Sequence, residues 1–99
     1  MDKEEAVSLG KRYKNLVSEH FDVKDAILYG SYSKGTQKED SDIDIAIVVD
    51  DISGNYFDSV PLLWKIKRQV SNFIEPVLVC ENKDKSGFLK EIRKVGIVL

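Results

Sequence analysis

The sequence is sparing with the residues that carry most covalent and redox chemistry. Its 99 residues hold one cysteine, one histidine, one tryptophan and two prolines. A single thiol, Cys80, cannot close an internal disulfide, and its place in the apolar run Pro76–Cys80 marks a buried core thiol in a reducing compartment. The lone histidine, His20, has no evident partner for a Ser-His-Asp or Cys-His set and reads as a structural or surface residue. Positive charge is not in excess: 15 Lys and Arg stand against 17 Asp and Glu, for a formal net charge of −2. No broad basic surface follows, so stable binding to nucleic acid is not expected. Long hydrophobic runs are missing too. No segment approaches the roughly 20 apolar residues of a membrane span, and the opening MDKEEAVSLGKR is too acidic and polar for a signal peptide. The expectation is a soluble cytoplasmic protein.

What is present is ordinary globular composition, 42% hydrophobic and 32% charged, which suits one domain over 1–99 with a single core. Residues 3–20 place Ala6, Leu9, Tyr13, Leu16, Val17 and His20 at helical spacing. A short buried strand follows at Asp25–Tyr29, and a second, rich in β-branched residues, at Asp42–Asp50. Asp51–Tyr56 reads as a turn broken at Ser53-Gly54-Asn55. Helical spacing then runs from Phe57 to Phe73, with Asp58 or Ser59 as a cap, Pro61 in the first turn and Trp64 toward the core. Glu75–Cys80 is a third strand, and Pro76 puts it at a sheet edge or places the proline at the strand's start. A third helix spans Phe88–Val95 and stops at Gly96, before a short strand at Ile97–Leu99. The predicted class is α/β (α+β): a small mixed sheet packed by helices, in the order α-β-α-β-α-β.

Alternation along the second strand separates its faces. Ile43, Ile45, Ile47 and Val49 point one way; Asp42, Asp44, Ala46 and Val48 point the other. Two carboxylates thus stand side by side, about 7 Å apart along the backbone. They follow a Gly30-Ser31 turn whose backbone can approach a phosphate with no Cβ in the way. Hard oxygen ligands of this kind suit Mg²⁺ that also holds substrate phosphates. An Asp-x-Asp at a strand start can also be a solvated edge or a turn cap; the Gly-Ser at this spacing is what favours the metal reading.

The stretch GSYSKGTQKEDSDID, through Gly30, Ser31, Gly35, Ser41, Asp42 and Asp44, resembles the signature of the nucleotidyltransferase superfamily related to DNA polymerase β. The short chain and its closing KVGIVL most resemble the minimal nucleotidyltransferases, the MntA-like antitoxins encoded beside HEPN-domain toxins. The resemblance implies a minimal nucleotidyltransferase fold and a protein adenylyltransferase activity that uses ATP. By position, Asp42 and Asp44 would ligate Mg²⁺, and Glu75 would complete the metal and catalytic set. Gly30 and Ser31, with Lys34 and Ser41, would bind the nucleotide. The family's third acid is more often Asp and seldom precedes proline, and the position of Lys34 is more often Arg. Glu81 is the reserve for the third acid, roughly 20 Å further along the strand. Tyr32 reads either as a neighbour of the nucleotide or as a surface residue.

A domain of this size has no second domain to grip an acceptor. The resemblance supplies one: a tyrosine hydroxyl on a HEPN-type toxin, with the chain as antitoxin. Two rivals stand beside this reading. One is a binding module that masks its partner without chemistry. The other is the catalytic subunit of a two-chain transferase acting on a small molecule or RNA. Homo- and hetero-oligomeric states are both compatible with the sequence.

Overall fold

A computed structural model describes residues 1–50, 56–84 and 86–99. The turn expected at 51–55 and the side chain of Phe57 lie outside the described residues. The elements are α1 (Lys3–Val17), β1 (Asp25–Tyr29), α2 (Ser31–Lys34), β2 (Ile43–Val49), α3 (Tyr56–Lys67), β3 (Ile74–Cys80), a 3₁₀ turn (Glu81–Lys83), α4 (Phe88–Val95) and β4 (Ile97–Val98). The expected alternation is there and, with the single helical turn α2 counted, continues through α4 and β4.

The sheet is mixed, in the order β3-β2-β1-β4. β1 runs antiparallel to both β2 and β4, whereas β2 and β3 are parallel. A parallel pair needs a long crossover, which α3 supplies. β3 is therefore an edge strand, where Pro76 is tolerated.

The alternation in β2 sorts two hydrophobic layers. Ile43, Ile45, Ile47 and Val49 join Ala26 and Leu28 of β1 under α1, α2 and α3, around Tyr13, Val17, Tyr32, Leu63 and Ile66. On the other face Ala46 and Val48 join Ile27 and Val79 beneath Leu89 and Ile92 of α4. The Tyr13 hydroxyl donates to the Leu63 carbonyl at 3.0 Å, tying α1 to α3 across the first layer.

Helix ends differ from the periodic reading. α1 stops at Val17, three residues short of His20, where the Ser18 hydroxyl donates to the Lys14 carbonyl and the next amides close short turns. His20 lies exposed in that turn. α3 begins at Tyr56, so Pro61 sits inside the helix and not in its first turn. The same helix ends at Lys67, because Lys67 turns back to donate to the Asn72 carbonyl at 3.0 Å. Val70 and Phe73 therefore fall beyond α3. Trp64 is 37% exposed and carries the Lys67 ammonium 5.2 Å from its ring centroid, so it is no core residue.

Gly96 joins α4 to β4 where there is no room for a side chain. An added Cβ would lie 2.5 Å from the Ile92 carbonyl oxygen and 2.6 Å from Ile27 Cγ2. Gly96→Ala is expected to cost about 1–3 kcal/mol through overpacking. It would show as a lower urea midpoint at unchanged slope; an unchanged midpoint would contradict this packing.

Candidate functional site

β1 ends at Tyr29, and the chain reverses through Gly30 into the single turn α2. Gly30 has φ 76° and ψ −145°, a region open in practice only to glycine. Its Cα faces the Asp44 carboxylate so closely that an added Cβ would stand 2.3 Å from Oδ2. Four residues are too few for a helix dipole to matter. What counts is that the first amides of any helix have no carbonyl behind them to bind, and those of Ser31, Tyr32 and Ser33 are the first of α2. The turn is braced from beneath, where the Ser33 hydroxyl and the Lys34 amide both donate to the Gly30 carbonyl, at 2.9 and 3.2 Å.

Strand register brings the acids together. Asp44 pairs with Tyr29 on one side and with Glu75 on the other. With strands roughly 4.8 Å apart, Tyr29, Asp44 and Glu75 form one row across β1, β2 and β3. All three lie on the face that α4 covers only further down, over Ile27, Ala46, Val48 and Val79. Asp42 precedes β2 and is exposed, as is Glu75, while Asp44 is half-buried between them. Burial, then the charge of Glu75, then that of Asp42, push the Asp44 carboxyl above its usual range. Burial raises the Tyr29 phenol too, helped by Asp44 and Glu75. Tyr29 meets Phe88, the first residue of α4, edge to face, with ring centroids 5.4 Å apart at 85°.

The other expected residues are less central. Lys34 is exposed at the end of α2. The Ser41 hydroxyl accepts from the Lys38 amide at 2.7 Å and so closes the 38–41 turn. Glu81 lies beyond the far end of β3 and pairs with Lys24 and with Arg93, the latter at 3.4 Å. It is part of a charge network that also includes Asp25 and Asp50. Tyr32 lies within the α2 turn, but its side chain is not on the surface: it is fully buried in the layer beneath α1, and burial raises its phenol. Tyr29 and Phe88 went unrecognised in the sequence, where Tyr29 is only the end of a buried strand. Its place immediately before Gly30 was the available signal.

The family model described as "Polymerase beta, Nucleotidyltransferase" matches residues 11–99. The chain belongs to that family. A relative from Thermococcus cleftensis, named protein adenylyltransferase MntA, is 33% identical over 95 residues, covering 90% of this chain and 87% of its own. A Methanocaldococcus jannaschii protein, provisionally named a protein adenylyltransferase, is 32% identical over 68 residues, or 69% of this chain. The match spans 60% of that relative's length, and also 60% of a second one's from the same organism. The crystal structure of a Sulfolobus solfataricus protein, provisionally described as a nucleotidyltransferase, aligns with a TM-score of 0.71. That alignment covers 97% of this chain and 80% of the other, at 18% identity, and speaks for the fold alone.

Nucleotidyltransferases use a divalent metal, and the donor set fits one. Carboxylate oxygens are hard ligands. Burial raises Asp44 most, and the repulsion from Glu75 and Asp42 that adds to it is a condition a cation between these acids would relieve. Among the described residues, no three acidic, histidine or cysteine side chains converge to full ligating geometry. No helix among the described residues is long and apolar enough to cross a membrane.

Proposed function

We propose that the chain is a Mg²⁺-dependent nucleotidyltransferase that moves AMP from ATP to a tyrosine hydroxyl of a HEPN-type partner toxin, and so acts as its antitoxin. One observation carries this reading: the Asp44 carboxylate is held between the Gly30 turn on the β1 side and Glu75 on the β3 side. The Gly30 turn and the carboxylate row thus share one end of the sheet.

Each residue then has a task. The Gly30–Ser31 turn receives the triphosphate through backbone amides, where a side chain on Gly30 would block both phosphate and acid. Lys34, at the exposed end of the same turn, adds a point charge for the phosphates. Asp42, Asp44 and Glu75 hold the metal. When bound, it offsets charge on the phosphates and lowers the pKa of the attacking hydroxyl. Glu75, the outermost acid of the row, accepts the proton of that hydroxyl. Positioning and electrostatics do the rest, consistent with a chain whose one histidine is remote and exposed.

The test is label transfer from [α-³²P]ATP to the toxin encoded beside the gene, with and without Mg²⁺. Wild type should label the partner. Glu75→Gln should lower the rate about a hundredfold or more, the range for loss of a general base, while Glu81→Gln stays near wild type. No transfer by wild type, or equal loss in the two variants, would overturn the proposal. Neutralisation of the toxin by Asp42→Asn/Asp44→Asn would favour masking instead.

A further inference from the structure

A cavity of about 350 Å³ runs along the later half of β3, past the acid row, lined by residues 77–80 of that strand, by Phe88 of α4, and by Lys83, Asp84 and Ser86 between them. It belongs to none of the functions assigned so far. Three observations tie it to the active end of the sheet. Val77 follows Glu75 on the same face of β3, one two-residue step or about 7 Å along the strand. Val77 is also 38% exposed, in a strand where its neighbours Pro76 and Leu78 are buried. Phe88 both walls the cavity and packs against Tyr29, the β1 member of the row.

We infer that this cavity is the acceptor subsite and that it receives an aromatic ring bearing the hydroxyl to be modified, a tyrosyl side chain of a protein substrate. The inference rests on the nucleotidyltransferase reading above. A volume of about 350 Å³ is at the small end of ligand pockets, which run roughly 300–1,000 Å³, and would admit either adenine or a tyrosyl ring. Position decides between them. In an in-line displacement the attacking and leaving oxygens stand on opposite sides of the phosphorus. The phosphate turn lies on the β1 side of Asp44, so pyrophosphate departs toward β1. The attacking hydroxyl must then arrive from the β3 side, where Glu75 stands, and the cavity begins one two-residue step along that strand at Val77.

A ring seated against Val77 and the Phe88 edge points its hydroxyl up the strand toward Glu75. In the step that follows, the phenolic oxygen forms a bond to the α-phosphorus and the bond from that phosphorus to the bridging oxygen breaks. Pyrophosphate leaves with the electron pair, and the phenolic proton passes to the Glu75 carboxylate. The rim of Lys83, Asp84 and Ser86 is polar, as the entrance to a site for a protein side chain should be.

Binding and transfer can be read apart. N-acetyl-tyrosinamide titrated into the Mg²⁺-loaded protein, with a non-hydrolysable ATP analogue present, should shift the Val77 and Val79 methyl resonances saturably. Val77→Trp, which fills the cavity, and Val77→Lys, which charges it, should each weaken that binding at least tenfold. Affinity for the ATP analogue should stay within about twofold. Because Val77 is exposed, at least one of these variants is expected to fold. Shifts confined to other methyls would overturn the assignment. So would a tenfold loss of nucleotide affinity in either variant, which would put the base in the cavity. Methyl shifts without AMP transfer by wild type would sink the transferase reading alone. Transfer without those shifts would sink the subsite alone.

Discussion

Gly30→Ala is expected to reduce AMP transfer by at least about a hundredfold, the cost of a roughly 1 Å misplacement at a reacting centre. Two effects combine. Alanine at φ 76° and ψ −145° is strained, at about 1–3 kcal/mol for a conformation of this kind. The new methyl would also stand 2.3 Å from Asp44 Oδ2, so the carboxylate or the turn must move. The strain should lower the melting temperature by roughly 4–8 °C per kcal/mol for a domain of this size. Gly35→Ala separates the two effects: it shares a positive φ of 73° but has no atom within 4 Å of the added Cβ. It should lose stability with a much smaller loss of transfer. Transfer by Gly30→Ala within tenfold of wild type would mean that the Gly30–Asp44 contact is not part of the site.

Asp44→Asn should move activity and stability in opposite directions. On the proposed function transfer should fall by about a thousandfold, since a metal held by Asp44 would supply several kcal/mol of charge stabilisation and each 1.36 kcal/mol is about tenfold. Stability without metal rises. Asp44 carries its charge half-buried beside Glu75 and Asp42, which is why its carboxyl is held above the usual range. A neutral amide of the same shape removes the burial penalty and the repulsion. In EDTA the melting temperature of the variant should exceed that of wild type by a few degrees, and the stabilisation that Mg²⁺ gives wild type should vanish. A variant less stable than wild type in EDTA would show that the acids are held apart by contacts stronger than their repulsion.

Much of the site was legible because its signal is local. The period-two pattern from Asp42 to Val49 assigns the acids to one face and the isoleucines to the other, and both hydrophobic layers follow it residue by residue. Gly30 could be read as a residue with a special backbone because it ends an apolar strand and precedes a polar turn. What sits beside Asp44 is another matter. Glu75 is its neighbour because β2 and β3 are parallel in a register set by the α3 crossover, and Tyr29 because β1 and β2 are antiparallel in theirs. Those registers are fixed by packing between distant segments and leave no mark on the local pattern. The same limit explains Tyr32 and Trp64. Whether a helical aromatic is buried depends on which helix passes over it, and α1 covers Tyr32 while Trp64 is left partly open. Pro61 was placed a turn too early because nothing local marks where α3 begins.

The pairing of β4 with β1 sets the order in which the chain completes itself on the ribosome. Ile27 and Leu28 find partners in Val98 and Ile97, which are translated after β1, β2 and β3, the strands that carry the acid row. Until α4 follows, Ile27, Ala46, Val48 and Val79 present an apolar sheet face to solvent, next to a strand edge on either side. A chain that has released β3 but not yet α4 therefore carries the acid row on an adhesive half-domain, the kind of intermediate that chaperones retain.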